Sequence, residues 1–222
     1  MMLKIGEHEN IILFIECLDS NILGKSLIYD FANGGDLCSE IVSHGTLIKC
    51  NALTIMVQIF NAVSFIHSKS IIHRDIKLEN IVCYKHNDIL LKVKLIDFGL
   101  SIFYDKKNPA VCLVGTVGYI APEIYLYEPQ TFAVDIWSCA IVMIIVCTGH
   151  HPLNPNVLKG DEIKNITING EIDLTTVQSS DSFFAAFIKR MLIKNPKKRP
   201  LSIDLMNSLK NYYFSKSLQT QE

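Results

Sequence analysis

Asp75, Lys77 and Asn80 lie close together in the string His73-Arg74-Asp75-Ile76-Lys77-Leu78-Glu79-Asn80, and Asp97-Phe98-Gly99 follows downstream after an apolar run. A carboxylate held in a loop can accept the proton of a hydroxyl as that hydroxyl attacks. A neighbouring ammonium can offset negative charge growing on phosphoryl oxygens. A carboxamide oxygen and a second carboxylate are the hard ligands that Mg2+ takes while keeping some of its waters. Together Asp75, Lys77, Asn80 and Asp97 are the parts needed to move a phosphoryl group from a metal-bound nucleotide to a hydroxyl. Singly, each has a plainer reading: Asp75 as a turn or capping residue, Lys77 as a surface lysine.

The 222 residues suit one large domain, and 49 % hydrophobic against 19 % charged residues is enough to bury a sizeable core. The formal net charge is -1, so no global field draws the chain to nucleic acid or to an anionic membrane. The seven cysteines, Cys17, Cys38, Cys50, Cys83, Cys112, Cys139 and Cys147, form no Cys-x-x-Cys pair. They read as buried free thiols in a reducing, intracellular and cytoplasmic setting rather than as a zinc cluster or a disulfide framework. Lys4, Glu7, His8 and Glu9 make the start unlike a signal peptide. The most apolar stretch, 136–146, is shorter than the roughly 20 residues of a membrane span.

The elements that must position these groups follow from period and punctuation. Residues 11–15 and 26–31 read as two strands of a hairpin, with Asp19, Ser20, Asn21 and Gly24 as the turn. Asp36, after Asn33-Gly34-Gly35, is placed to cap a helix. Leu53, Met56, Val57, Phe60, Val63 and Ile66 recur at helical spacing and end near His67. Ile71-Ile72 starts a short extended piece, and the charged octet occupies the loop after it. Residues 81–83 and 92–96 read as strands around an Asn87-Asp88 turn. Residues 101–120 lack periodicity, and a connection of that length is usually functional. Residues 135–148 are apolar nearly all round and predict a central helix stopped by Gly149. Residues 183–191 and 202–209 read as amphipathic helices.

Several strings occur in one order: H-E-N-I at 8–11, F-A-N-G-G-D-L at 31–37, H-R-D-I-K-L-E-N at 73–80 and D-F-G at 97–99. G-T-V-G-Y-I-A-P-E at 115–123, D-I-W-S at 135–138 and N-P-K-K-R-P at 195–200 complete the set. In this set the chain resembles the protein kinase family, and within it the calmodulin-dependent-kinase-like serine/threonine group. The resemblance implies an α+β fold: a partial β-rich upper lobe over 1–31, a linker over 32–36, a mostly helical lower lobe over 37–214 and a tail over 215–222. It implies ATP and Mg2+ as cofactors and a protein serine or threonine as acceptor. Asp75 would be the catalytic base and Lys77 its charge partner, with Asn80 and Asp97 on the metal. The Asp30 carbonyl and Ala32 amide would meet the adenine edge and Asp36 the ribose. Val82 and Ile96 would flank the ring, and Tyr29 would stand at the back. Thr116 would bond near Asp75 and Lys77. Asp135 would hold the catalytic loop from below, and Glu123 and Arg199 would pair beneath the substrate platform. Leu3, Phe14, His73 and Phe98 would stack as a hydrophobic spine.

Two departures from the family pattern are expected to matter. The glycine-rich loop, the strand lysine and the helix glutamate of the upper lobe have no counterpart, so the resemblance implies a truncated upper lobe, weak nucleotide binding and little turnover. A catalytically silent scaffold on the same lobe is the alternative. Arg74 commonly pairs with a loop phosphate in the family, yet Cys112 stands where a threonine is usual, and Asp105 is a candidate fixed charge in its place.

Overall fold

A computed structural model describes residues 1–20, 24–45, 49–87 and 89–219. The expected turn residue Asn21 and Asp88 lie outside these residues, as do the side chain of Cys50 and the last part of the expected tail, 220–222.

The chain opens with a single helical turn, α1 (Met2–Ile5), and an antiparallel ribbon of β1 (Phe14–Ser20) and β2 (Gly24–Tyr29). The first strand therefore begins later than the hydrophobic run predicts. Ile11 and Ile12 are buried, and they turn inward to pair with Leu95 instead of joining the ribbon. Asp19 and Ser20, expected in the turn, are the last residues of β1.

Residues 30–36 cross to α2 (Leu37–His44), whose N-terminus is capped by Asp36: its Oδ1 accepts the Ser39 amide at 2.7 Å. Helix α3 (Lys49–Ser68) buries Leu53, Met56, Phe60, Val63 and Ile66 on the predicted face. After β3 (Ile71–Ile72) comes the charged loop, then the hairpin of β4 (Ile81–His86) and β5 (Ile89–Leu95). The segment expected to be irregular holds one short strand, β6 (Ile102–Phe103), paired antiparallel with β3.

Beyond α4 (Pro122–Tyr125) runs α5 (Ala133–Thr148), in which every residue but Cys147 is buried. Gly149 ends it at φ 75°, a left-handed conformation that glycine adopts without a Cβ penalty. Sequence reading did not anticipate α4, nor α6 (Gly160–Asn169) and α7 (Thr175–Ser180). The overlooked signal for α6 was local: Glu162 reaches back to the Lys159 amide at 2.7 Å, an acidic first turn before Ile163. Then α8 (Ser182–Met191) and α9 (Ser202–Gln219) close the body, α9 packing along α3. The expected tail is thus helical as far as Gln219.

Among the described residues no helix is long and apolar enough to cross a membrane. The described cysteines are free thiols. Cys83 and Cys139 are buried, and burial pushes the Cys83 thiol up to about 12. Cys17 and Cys112 are exposed, against the expectation of uniformly buried thiols.

Candidate active site

The loop between β3 and β4 is held by one buried carboxylate. Asp135, on α5, accepts the His73 amide on Oδ2 and the Arg74 amide on Oδ1, both at 2.9 Å, and its Oδ2 also meets His67 Nε2 at 2.9 Å. Burial alone would raise the Asp135 carboxyl. The bonds from the His67 ring and the His73 amide outweigh it and hold the carboxyl below its ordinary value. Arg74 sits at φ 68°, a left-handed conformation costing a non-glycine residue on the order of 1–3 kcal/mol. Capturing two consecutive amides on Asp135 offsets that cost and fixes the backbone just before Asp75.

His73 ties the loop to the end of β5. Its Nδ1 accepts the Asp75 amide at 3.3 Å, so the ring proton resides on Nε2, which donates to Ile96 O at 3.0 Å. Burial lowers its pKa despite the nearby charges of Asp135, Asp75 and Asp97, so the ring is neutral near pH 7. Phe98 packs edge-on against it at 4.8 Å. Phe14 is half-buried and lies edge-on to Tyr29. Leu3 does not join the expected spine: it is 85 % exposed, whereas Ile5 is buried. A single helical turn has room for one inward side chain, and the register of α1 assigns it to Ile5.

The catalytic candidates converge. Thr116 Oγ1 donates to Asp75 Oδ1 at 2.6 Å and accepts from Lys77 Nζ at 2.8 Å. Lys77 Nζ is 3.2 Å from Asp75 Oδ2. Asn80 Nδ2 donates to Asp75 O at 2.8 Å and to Asp75 Oδ2 at 2.9 Å. A carboxylate has about four lone-pair sites; Oδ2 takes one hydrogen bond beside the Lys77 ion pair, and Oδ1 takes one and keeps one for a hydroxyl.

The same bonds test the fit to a hard cation. The amide nitrogen of Asn80 is committed to Asp75, and Oδ1 has no hydrogen bond among the described residues, leaving the carbonyl oxygen for a metal. Asp97 is exposed at φ 58°, and its Oδ1 accepts the Gly99 amide at 3.0 Å. Asn80 O accepts the Ile96 amide at 2.9 Å, which fastens the two ligand-bearing segments together. Among the described residues no cluster of three or more His, Cys, Asp or Glu side chains could hold an ion by itself. Two protein oxygens completed by phosphate and water are what Mg2+ accepts.

Residues 33–36 lie against β4. Gly34 N donates to Cys83 O at 2.9 Å, Cys83 N donates to Gly35 O at 2.8 Å, and Asp36 bridges to Val82. A Cβ on Gly34 would stand 2.7 Å from Cys83 O, so only glycine permits this approach. Val82 and Ile96 are both half-buried. Burial and, after it, the charge of Asp97 push the Tyr29 hydroxyl above its ordinary value. Asp30 O and Ala32 N make no hydrogen bond among the described residues.

Arg74 reaches Leu100 O through Nε at 2.7 Å, and Cys112 Sγ and Gln130 Oε1 through Nη1 at 3.3 Å. Asp105 is not its partner; it is exposed and accepts the Lys107 amide. Glu123 and Arg199 form a bidentate buried pair at 2.7 and 2.8 Å, and Arg199 also donates to the carbonyls of Ala133, Ile193 and Lys194. A separate cavity of about 720 Å³, lined by Trp137, Ile172, Leu174, Ala185, Lys189 and Lys194 among others, includes none of Asp75, Lys77, Asn80 or Asp97 in its lining.

A family model described as "Protein kinase domain" matches residues 1–214. The chain belongs to the protein kinase family. Among curated proteins, this kinase is 32 % identical over 190 residues to protein kinase kin1 of Schizosaccharomyces pombe, an alignment covering 84 % of the chain and 20 % of that protein. It is 31 % identical over 207 residues to a probable myosin light chain kinase of Dictyostelium discoideum, covering 89 % of the chain and 50 % of the relative. The chain thus spans half or less of the length of these relatives. The α+β fold implied by the resemblance is the one found, a helical body with few short antiparallel strands.

Proposed function

We propose that this kinase domain transfers the terminal phosphoryl group of ATP, with Mg2+, to a serine or threonine hydroxyl of a protein. The observation that carries the reading is the convergence of Thr116, Lys77 and Asn80 on the Asp75 carboxylate. The open lone pair of Oδ1 orients the acceptor hydroxyl and takes its proton. Lys77, held by Thr116, offsets charge on the phosphoryl oxygens. Asn80 Oδ1 and the Asp97 carboxylate would hold Mg2+, which would supply positive charge to offset that of the phosphates. The Asp30 carbonyl and Ala32 amide would take the adenine edge, Asp36 the ribose, and Val82 and Ile96 the faces of the ring.

Arg74, Glu123, Asp135 and Arg199 support the platform rather than touch the reacting atoms. The serine/threonine preference rests on the Lys77–Thr116 bond, which builds the acceptor platform next to Asp75. The exposed free thiols of Cys17 and Cys112 suit a reducing cytoplasmic compartment. A silent scaffold finds no favour here, because it has no use for Asp75, Lys77, Asn80 and Asp97 together.

The test is phosphotransfer to serine, threonine and tyrosine peptides. Asp75→Asn should lower turnover about 10²–10⁴-fold with the circular dichroism spectrum unchanged. Equal turnover by the variant, or exclusive labelling of tyrosine, would refute the assignment.

A further inference from the structure

The linker carries an anchor that the reaction chemistry does not use. Asp30 Oδ2 accepts Lys94 Nζ at 2.6 Å and the Tyr84 hydroxyl at 2.5 Å, while Oδ1 accepts the Leu13 amide at 2.7 Å. The Lys94 ammonium also lies over the Tyr84 ring, 5.0 Å from its centroid. The Lys94 and Asp30 side chains are only 12 % and 24 % exposed, so solvent screens this pair less than it screens a surface ion pair. Every acceptor atom of the Asp30 carboxylate is engaged.

The remaining anchors of the linker sit further along. Asn33 pairs through both ends of its amide with the Lys85 backbone at 2.9 Å, and Gly34, Gly35 and Asp36 pair with Cys83 and Val82. Residues 33–36 are therefore fastened through backbone contacts to β4. Residues 30–32 are not. Apart from the Asp30 amide bond to Leu13 O, the carboxylate of Asp30 is what holds this stretch.

We infer that Lys94 and Tyr84 are positioning residues for the nucleotide base: through Asp30 they fasten residues 30–32 to the β4–β5 hairpin, so that the base-recognition groups are held by that hairpin as well as by the Leu13 end of the β1–β2 ribbon. The inference rests on the reading of Asp30 O and Ala32 N as the adenine edge contacts. It has a geometric corollary. Lys94 lies on β5, which ends at Leu95, and Asp97 follows two residues later at φ 58°. The β4–β5 hairpin and the turn that leaves it therefore bear on both the base and the metal ends of the nucleotide. Neither Lys94 nor Tyr84 touches the nucleotide; each acts through Asp30.

The test uses the 222-residue chain and adenosine, which binds without phosphates or metal. Calorimetry gives its affinity, and hydrogen exchange gives the opening of the amides of residues 30–32. Lys94→Met should weaken adenosine about tenfold and speed exchange at 30–32, with the melting temperature nearly unchanged. Tyr84→Phe, which keeps the shape, should weaken adenosine a few-fold, and Lys94→Arg should restore most of the loss. Wild-type binding that Lys94→Met and Tyr84→Phe leave intact, with exchange at 30–32 unaltered, overturns the positioning role. A wild-type chain that does not bind adenosine overturns the base-edge reading instead, and unaltered exchange in the variants would then overturn the anchor as well.

Discussion

Helix α5 and the β1–β2 ribbon stand in opposite relations to solvent. In α5 only Cys147 escapes full burial, and Asp135 and Trp137 are 0 % exposed. In the ribbon no described side chain is buried, and Ile15, Leu18 and Leu27 stand 55, 47 and 54 % exposed. The difference teaches where positional accuracy comes from. A buried helix surrounded by packed neighbours has one low-energy placement, so the Asp135 carboxylate can hold two amides of a strained loop. A two-stranded ribbon is marginal by itself and cannot supply such a reference frame. Asp75, Lys77 and Asn80 are accordingly referred to α5 through Asp135, while the linker is referred to the β4–β5 hairpin.

The largest effect that could break this contrast lies in the body. Arg199→Ala leaves Glu123 buried and unpaired, and should cost about 3–5 kcal/mol, read as a large drop in the thermal midpoint. A melt unchanged within error would mean that the body does not depend on its buried charges.

A smaller effect concerns acid. His151 packs edge-on against Tyr119, and burial lowers its pKa from 6.5 to about 4. The unfolded chain then binds a proton between these values that the folded chain refuses, so stability falls as pH drops from 6.5 through about 4. Allowing for the exposed part of the ring, the loss is about 1–2 kcal/mol. His151→Asn keeps an acceptor for the Leu153 amide but has no titrating group, and should flatten the stability curve across that window. An equally steep curve in the variant would assign the acid sensitivity elsewhere.

The smallest effect belongs to the ribbon. Leu18→Lys should change the denaturation midpoint by no more than about 0.5 kcal/mol, because the side chain buries little. A loss comparable to that of Arg199→Ala would show that the ribbon is as tightly coupled to the core as α5 is.

Much of this architecture could be read locally. The central helix was legible because an apolar run of that length has no polar face to turn outward, and the Asp36 cap because a capping carboxylate needs only its own next turn. The boundaries of β1 were not legible: Ile11 and Ile12 look like ribbon residues until Leu95 claims them. Leu3 and Ile5 are equally apolar, and only the register of a four-residue helix decides which one enters the core. The Asp30–Lys94–Tyr84 anchor carried no sequence signal, since its members lie on the linker and on two strands whose pairing had first to be known.

Residue types and spacing alone determined which chemistry this chain could carry, because a base, a cation and two oxygen ligands are properties of side chains in order. Which atoms meet was decided by the tertiary structure. Asp135 lies 62 residues from His73, and Glu123 lies 76 from Arg199. Contacts across such separations obey no local period; they exist only once burial around α5 has brought the segments together and removed the water that would otherwise compete for the same bonds.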